Sequence, residues 1–442
     1  SNCKMIKKIS FILCVFFSII CFSQEFDSTS KIALNQLVQE HEFFKKELVK
    51  SRGAVYNFEA DEVFFENMFK SNNKLGIIVY TYINDSLKLS LFFNADKEKI
   101  SVLEKFVEIN RSDLDTYVKD ANYLFSNTFL NRAPTKRGTI VTVKKTKKKQ
   151  LLKSFKTLNK VLLPNDFDLE RFNHLIIVPS LNIGTLPFAA FKIKNSYLID
   201  SMSYSIAPNL SGSSLLYDLE ETKMNYSWEN ALFVSNPKYP ENTAWNFPDL
   251  PGAEEEVNYV INKAKPINFT RLNGTDATKT SVLKNIVNYD LLYFATHGIT
   301  DAENPLDKSF LVLANDDKET SFITSREIQN IPFKERRRQK LKAKLVVLSA
   351  CQTGLGKSHE GGTIGLARAF QLAGANHVLM SLWNIDDKET ATLMKYFFDE
   401  LAIAQELMPH AAIRNAILKY KKEINDDPKY WAAFSIFGVP YY

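Results

Sequence analysis

The sequence predicts an α/β protein with a mostly parallel sheet flanked by helices. Short, wholly apolar segments rich in β-branched residues recur in the second half of the chain, and such segments are typical of strands buried on both faces of a parallel sheet. Segments with helical spacing alternate with them, as the crossovers between parallel strands require. No repeat of about 30–45 residues is present, which argues against a helical solenoid.

Length and composition set the class of protein. At 442 residues the chain exceeds the usual size of a single core, so two lobes are expected. Its 45% hydrophobic and 24% charged residues are ordinary for a globular protein. The net charge is +6, and residues 1–23 contain three lysines and no acidic residue, which leaves +3 for the rest. This charge is too small to predict nucleic acid as a partner.

Residues 1–23 resemble a signal peptide. Lys7 and Lys8 form a basic start, residues 9–22 an apolar core, and Cys21-Phe22-Ser23 a cleavage site with small residues at its critical positions. We therefore expect an exported protein, periplasmic or extracellular, with no stable membrane span after removal of the leader. The alternative is a membrane anchor that is not cleaved.

Cysteine usage singles out one thiol. Cys3, Cys14 and Cys21 lie in the leader, so Cys351 is the one cysteine expected to remain after processing. A thiol without an internal partner in an oxidising compartment is either inert in the core or a nucleophile.

The first half of the chain shows helices and a hairpin. After a short helical N-terminal segment (24–59), we expect an N-terminal lobe (60–230) and a second lobe (231–442). Residues 32–49 and 61–69 have helical spacing, residues 75–82 and 87–93 are β-rich and separated by a turn, and residues 100–129 are predicted to be helical. The basic run 144–149 is predicted to be a solvated loop or helix end, because no aromatic residue is interleaved.

The second half alternates strands and helices. Strands are predicted at 174–178, 231–235, 291–295, 310–313, 345–349 and 377–382, and helices at 253–264, 282–287, 325–330 and 363–372. The helix at 253–264 opens with Glu254, Glu255 and Glu256, which are favourable at its positive end.

Two of these strands end in reactive side chains. The strand 291–295 leads into His297 and Gly298, and the strand 345–349 leads into Cys351. Open α/β sheets present their chemistry at the carboxyl ends of the strands, so a thiol and an imidazole are expected at one edge. This pair has the residue types of a cysteine nucleophile and its base.

Two other kinds of site were weighed. Residues 351–358 (Cys-Gln-Thr-Gly-Leu-Gly-Lys-Ser) differ by one residue from a phosphate-binding loop, but Cys351 replaces the first glycine and the following segment is poor helix material. His297, His359, His377 and Cys351 include no pair at metal-ligand spacing. We therefore expect neither a metal nor a cofactor, with a P-loop nucleotide-binding protein as the weakest alternative.

Several ordered blocks of the sequence resemble the CHAT domain family of caspase-like cysteine peptidases. The resemblance extends over about residues 60–442 and includes Leu-Pro-Gly-Ala-Glu-Glu-Glu-Val (250–257), Tyr-Phe-Ala-Thr-His-Gly (293–298), Val-Leu-Ser-Ala-Cys-Gln-Thr-Gly (347–354), Glu-Gly-Gly-Thr-Ile-Gly-Leu-Ala-Arg-Ala-Phe (360–370), Ser-Leu-Trp-Asn-Ile-Asp-Asp (381–387) and Tyr-Trp-Ala-Ala-Phe (430–434). Cys351 follows His297 by 54 positions, close to the roughly 50 that are typical of caspases.

The resemblance implies a caspase-type sheet with a related, non-catalytic N-terminal lobe. It assigns a catalytic dyad to His297 and Cys351, and an oxyanion hole to the backbone amides of Gly298 and Cys351. The expected function is that of a cysteine endopeptidase acting on a protein or peptide. The alternative is a catalytically silent caspase-like module that binds a regulatory protein partner.

The same resemblance indicates a substrate pocket. It assigns substrate binding to Ser381, Trp383, Asp386 and Asp387, and a carboxylate there would favour a basic residue before the cut. The competing interpretation is that Asp386 and Glu389 form a helix capping box.

Overall fold

The computed structural model describes residues 27–39, 58–96, 99–126, 145–207, 210, 226–241, 243–301, 304–316, 320–334, 339–349, 362–383, 385, 387–404 and 407–440. Its strands are β1 Leu75–Ile83, β2 Ser86–Asp96, β3 Lys99–Glu108, β4 His174–Val178, β5 Lys192–Ile193, β6 Ser196–Tyr197, β7 Ser203–Ile206, β8 Asn230–Pro237, β9 Asn268–Gly274, β10 Leu291–Ala295, β11 Gly298–Ile299, β12 Phe310–Val312, β13 Phe322–Thr324, β14 Leu345–Leu348, β15 His377–Ser381 and β16 Phe434–Phe437.

The α-helices of the same residues are α1 Ser28–Gln39, α2 Phe58–Ser71, α3 Arg111–Ser126, α4 Lys145–Leu162, α5 Leu198–Ser201, α6 Gly252–Ala264, α7 Lys279–Leu283, α8 Ser325–Gln329, α9 Ile331–Lys334, α10 Gly362–Ala373, α11 Asp387–Ile403, α12 Pro409–Glu423 and α13 Pro428–Trp431. Short 3-10 turns occur at Asn165–Phe167, Leu169–Arg171, Leu181–Thr185, Phe188–Ala190 and Ile286–Asn288. Among these helices none is both long and apolar enough to cross a bilayer.

One large sheet dominates the described part of the molecule. Its strands follow the order β3-β2-β1-β4-β7-β16-β15-β14-β10-β8-β9. Neighbouring strands are parallel except at β1–β2, β2–β3 and β15–β16. Helices flank the sheet, and α11 packs against both α6 and α12. The predicted fold class, an α/β protein with a mostly parallel sheet flanked by helices, is confirmed.

The β1–β2 hairpin agrees with the sequence prediction. Ile83 is opposite Ser86, so Asn84 and Asp85 form a two-residue loop. Both have positive φ, at 47° and 55°. This conformation suits a tight hairpin turn, and Asn and Asp tolerate it better than most residues do.

The helix predicted at residues 100–129 is wrong in its first part. Residues 99–108 form β3, which pairs along its length with β2, and the helix begins only at Arg111. β3 lies at the edge of the sheet and is half exposed, so charged residues interrupt its apolar pattern and blur the two-residue period. The side chain of Asn110 accepts from the backbone N–H of Asp113 at 2.8 Å and so caps the helix start.

Two other N-terminal predictions have partial outcomes. The helix predicted at residues 32–49 is described as α1 up to Gln39, and residues 40–49 lie outside the described part of the chain. Residues 145–149 of the predicted basic run 144–149 form the start of α4, and residue 144 lies outside the described part of the chain. Residues 148–150 are exposed, in agreement with a solvated helix end.

The two halves of the chain share the large sheet. β7 and β16 meet in parallel with Phe437 opposite Ile206, and the N–H of Gly438 donates to the carbonyl of Ile206 at 2.9 Å. The hydroxyl groups of Tyr204 and Ser435 lie 2.9 Å apart across the same junction. The boundary between residues 230 and 231 falls at the start of β8, and the division into lobes stays a prediction.

Candidate active site

His297 follows β10, a strand that is buried between β8 and β14. The neighbouring residue Thr296 donates its hydroxyl to the carbonyl of Val312 at 2.5 Å. In return, the N–H of Val312 donates to the carbonyl of His297 at 2.9 Å. These hydrogen bonds attach the backbone at the end of β10 to β12, and they therefore fix the backbone position of His297.

One contact sets the protonation of the His297 ring. The Nε2 atom of His297 lies 2.6 Å from the carbonyl oxygen of Pro248. Since a carbonyl oxygen can only accept, Nε2 must carry the hydrogen and Nδ1 is left as the acceptor of the neutral ring. Nδ1 is buried and has no hydrogen-bond partner among the described residues. The free acceptor nitrogen is the one that a base needs.

The surroundings of His297 favour its neutral form. Burial lowers the pKa of His297 below its ordinary value, while the bond to Pro248 and the charge of Asp249 act in the opposite direction. The rings of Tyr239 and Phe247 lie 4.7 Å and 5.6 Å from the imidazole, centroid to centroid. An apolar enclosure of this kind penalises a charged imidazolium and keeps the ring able to accept a proton.

The segment that carries Pro248 is itself fixed to the sheet. Asn236 in β8 adopts a left-handed conformation with φ of 40°, and its side-chain oxygen accepts from the N–H of Leu250 at 2.8 Å. The carbonyl of Leu250 accepts from Ala253 at 3.0 Å, at the start of α6. The block 250–257 therefore leads from the histidine's hydrogen-bond partner directly into α6.

The end of β14 lies beside the end of β10. Leu348 is opposite Phe294, and the N–H of Ser349 donates to the carbonyl of Phe294 at 2.9 Å. Adjacent strands are about 4.8 Å apart. Cys351 itself, and with it the phosphate-loop alternative at residues 351–358, lies outside the described residues.

Gly298 begins β11 next to His297. It is buried and is opposite Leu311 in an antiparallel pair with β12. Its amide as an oxyanion donor stays a prediction, as does the amide of Cys351.

The residues predicted to bind substrate have different surroundings. Ser381 ends β15 opposite Phe434 and is buried. Trp383 is 2% exposed, donates its Nε1–H to the carbonyl of Lys429 at 3.1 Å, and stacks on Phe125 of α3 at 5.4 Å between centroids. The indole therefore packs within the core of the protein, a role that the family resemblance alone did not indicate.

The two aspartates cannot be placed in the same way. Asp386 and the side chain of Asp387 lie outside the described residues, so both the pocket and the capping box stay predictions. The Glu389 carboxylate, the other half of that capping box, accepts a hydrogen bond from the hydroxyl of Tyr420.

Two contributors to the site escaped the sequence interpretation. The carbonyl of Pro248 is a main-chain group, and nothing in a side-chain pattern marks it. Glu256 was predicted at the positive end of α6, but it is 4% exposed and lies against β10 and β14. The sequence indicated the burial of Glu256 only through the helical period, which places it on the same face as the buried Ala253 and Val260.

Within the described residues no group of three or more His, Cys, Asp or Glu side chains is arranged to hold a metal. A cavity of about 590 Å³ lies between the loops that flank β2 and β3 and the helices α3 and α4, and none of the predicted site residues lines it.

Comparisons with known proteins agree with the resemblance seen in the sequence. The family model of the CHAT domain matches residues 152–439. Tetratricopeptide repeat protein 28 of Homo sapiens and of Mus musculus is 26% and 25% identical over 309 and 301 residues. Each match covers 61% of this chain, which spans only 12% of the length of these curated relatives.

Solved structures are similar in fold. The Saccharomyces cerevisiae separase–securin complex has a TM-score of 0.50 at 14% identity, covering 87% of this chain and 31% of that chain. The Arg specific cysteine proteinase gingipain R has a TM-score of 0.41 at 10% identity, covering 65% of this chain and 67% of that chain. The family match confirms the predicted resemblance to the CHAT domain family, and the separase structure, at a TM-score of 0.50, supports the predicted fold.

Proposed function

The chain belongs to the CHAT domain family, and on this premise we propose that it is a caspase-like cysteine endopeptidase with His297 and Cys351 as its catalytic dyad. One observation carries the proposal. The imidazole of His297 has its Nε2–H satisfied by Pro248 and its Nδ1 unbonded within the described residues, at the sheet edge where β14 also ends. Buried His377 also has a ring nitrogen without a partner among the described residues, but it lies at the start of β15, opposite the first residue of β14. The place of His297 at the carboxyl ends of the strands is what distinguishes it.

The mechanism follows from this arrangement. Cys351 gives its proton to Nδ1 of His297, and the thiolate attacks the carbonyl carbon of the scissile peptide bond. The amides of Gly298 and Cys351 hold the resulting oxyanion. His297 then returns the proton to the leaving amine, which leaves a thioester on Cys351. Water attacks the thioester with His297 as base and releases the acid and the free thiol.

The electrostatics of His297 suit this cycle. A ring whose pKa is lowered by burial is neutral at neutral pH and is therefore ready to accept the thiol proton. The Pro248 carbonyl holds the ring in the tautomer with Nδ1 free, which is the orienting role that a carboxylate has in many triads.

The proposed activity is tested with a thiol-directed peptide probe that carries lysine or arginine. The probe should label the wild type, and the substitutions Cys351→Ala and His297→Ala should abolish labelling. His377→Asn serves as a matched control, because His377 is also buried and lies on β15, the strand next to β14. Equal labelling of wild type and Cys351→Ala would refute the peptidase, as would an unlabelled wild type between pH 5 and 8 under reducing conditions.

A preference for a basic residue before the cut is a separate proposal. It rests on the carboxylates of Asp386 and Asp387, which the family resemblance assigns to the pocket. Cleavage of a peptide library by the wild type should then favour Lys and Arg, and Asp386→Ala or Asp387→Ala should weaken that preference. If neither substitution changes it, these two residues do not form the pocket.

The second candidate function is binding of a protein partner without cleavage. The curated relatives are named for tetratricopeptide repeats, and the separase structure is a complex with securin. A folded wild type that the probe does not label, and that cuts no library peptide, would favour this candidate. Export through the leader at residues 1–23 is proposed for either function, and sequencing of the mature amino terminus from an exporting host tests it.

A further inference from the structure

Glu256 differs from the two glutamates that precede it in α6. Glu254 and Glu255 are exposed, and Glu255 lies 3.6 Å from Lys395 on the surface. Glu256 is 4% exposed and points toward the sheet. A carboxyl group is removed from water at a cost of several kcal/mol unless it is hydrogen-bonded, so its partners must be strong and well placed.

One oxygen of Glu256 joins the two strands that lead to the dyad. Its Oε1 accepts from the hydroxyl of Tyr293 in β10 at 2.7 Å, and from the hydroxyl of Ser349 at the end of β14. Burial and the neighbouring charge of Glu256 raise the pKa of Tyr293 well above its ordinary value, so the tyrosine hydroxyl keeps its proton and donates. Both bonds are buried, where hydrogen bonds to a charged acceptor are strong.

The two donors are close in sequence to the dyad. Ser349 precedes Cys351 by two residues, and Tyr293 precedes His297 by four. Ser349 is already bound to β10 through its N–H, so the bond to Glu256 fixes its side chain as well as its backbone. The helix that carries Glu256 also continues from the segment of Pro248, which orients His297.

We propose that Glu256 is a positioning residue that sets the direction in which the chain leaves β14 toward Cys351. The inference rests on the proposed function and deepens it. The carboxylate does not touch the reacting atoms and acts through the Ser349 hydroxyl, while its bond to Tyr293 fixes the distance to the strand that carries His297.

The test measures the reactivity of Cys351 separately from peptide cleavage. The rate of alkylation of the Cys351 peptide by iodoacetamide is followed by mass spectrometry across pH, for wild type, Ser349→Ala, Glu256→Gln and Glu256→Ala. His297 is the proposed base that helps Cys351 to ionise, so a thiol displaced from it should react only at higher pH. Ser349→Ala and Glu256→Ala should therefore move the midpoint of alkylation to higher pH. They should also lower kcat by about tenfold with KM changed less than about twofold.

Two further variants separate positioning from general destabilisation. Glu256→Gln keeps an acceptor oxygen at the same place and should restore most of the wild-type midpoint. Glu255→Gln, one residue away and exposed, should leave alkylation and kcat unchanged. If Glu256→Ala does not fold, Ser349→Ala decides alone, because it removes a single hydroxyl.

The outcomes distinguish this inference from the proposed function. Wild-type alkylation rates and midpoints in folded Ser349→Ala and Glu256→Ala would overturn the positioning role, whatever the peptidase assays show. A Cys351 that responds to these substitutions in a protein that cuts no peptide would support the positioning role and refute the peptidase alone.

Discussion

The Nε2 atom of His297 lies 2.6 Å from the carbonyl oxygen of Pro248, and this contact leaves Nδ1 as the acceptor of the ring. The orienting group is a backbone carbonyl, which does not titrate. The pH dependence of a reaction that uses His297 as base should therefore contain no titration of the group that orients the ring.

The first prediction concerns the acid limb of that pH dependence. Burial lowers the pKa of His297 below 6.5, so the neutral ring persists below pH 6.5 and is lost only as the pH falls through the lowered value. The acid limb of kcat/KM, or of probe labelling, should accordingly have its midpoint below pH 6.5.

The charge of Asp249 allows a test of whether the acid limb reports the pKa of His297. It raises the pKa of His297, so Asp249→Asn should move the acid limb to still lower pH, whereas Glu254→Gln on the exposed face of α6 should not. An acid limb at or above pH 6.5, or one that Asp249→Asn moves upward, would contradict the assignment.

Asn236 is predicted to support the Pro248 segment through Leu250. Asn236→Gly keeps the left-handed backbone but removes the acceptor of the Leu250 N–H, and should lower kcat/KM about three- to tenfold, the equivalent of one hydrogen bond. Asn236→Asp retains an acceptor and a residue that tolerates positive φ, so it should stay near the wild type. Equal activities of the Gly and Asp variants would show that the bond to Leu250 does not matter.

Trp383 is predicted to contribute to stability more than to specificity. It is enclosed against Phe125 and bonded to the carbonyl of Lys429, so Trp383→Ala should lower the free energy of unfolding by roughly 3–5 kcal/mol. Trp383→Phe should cost less and leave the preference for the residue before the cut unchanged. A Trp383→Phe variant with normal stability and an altered preference would instead assign the ring to the pocket.

The strands around the dyad could be predicted because their environment is uniform. β10 and β14 are buried on both faces of the sheet. Their side chains meet the protein core on either face, so the whole of each strand is apolar and is easily recognised in the sequence. The positions of His297 and of Ser349 followed from the ends of those apolar runs. The edge strand β3 has no such uniformity, and its charged residues led to the prediction of a helix at residues 100–108, which form most of this strand.

The remaining features of the site depend on tertiary geometry. Three consecutive glutamates look equivalent in the sequence, and only the rotation of α6 against the sheet makes Glu256 face Tyr293 and Ser349. The Pro248 carbonyl is likewise selected by the path of the loop before α6. The family resemblance assigned Trp383 to the substrate pocket. Its contact with Phe125, in the first half of the chain, depends on tertiary packing and could not be predicted from the residues next to Trp383 in the sequence.

Gly438 is predicted to be essential at the junction of β16 and β7. Its φ is 138°, and a Cβ atom there would lie 2.5 Å from the carbonyl oxygen of Asn376 and 2.9 Å from Cδ2 of His377. Gly438→Ala should therefore lower the free energy of unfolding by about 2–4 kcal/mol. Gly274 is a matched control with φ of 50° and nothing within 4 Å of the same position, so Gly274→Ala should cost only about 1 kcal/mol. Similar losses in both variants would mean that the close contacts with Asn376 and His377 are unimportant.

Three buried histidines away from His297 predict a loss of stability in acid. The rings of His174 and His410 lie 3.9 Å apart, His174 is bonded to the hydroxyls of Ser203 and Ser205, and Nδ1 of His377 lies 3.4 Å from the hydroxyl of Tyr226. Burial, with the charge of His377, lowers the pKa of His174 to about 3, and burial lowers that of His377 to about 4. Burial also lowers the pKa of His410 well below its ordinary value, and the charges of the other two histidines add to this effect.

The direction in which stability changes with pH follows from whether the folded or the unfolded chain binds more protons. Below pH 6.5 the unfolded chain takes up protons that the folded chain excludes, so the stability present above pH 6.5 is lost as the pH falls toward 4 and below. Each such histidine lowers the free energy of unfolding by about 1.4 kcal/mol per pH unit in this range. Urea unfolding at pH 7.5, 6.0 and 5.0 should show the decline, and His410→Leu should make it shallower by removing one of the groups. Parallel curves for wild type and His410→Leu would contradict a contribution of His410, because the two proteins would then take up equal numbers of protons on unfolding.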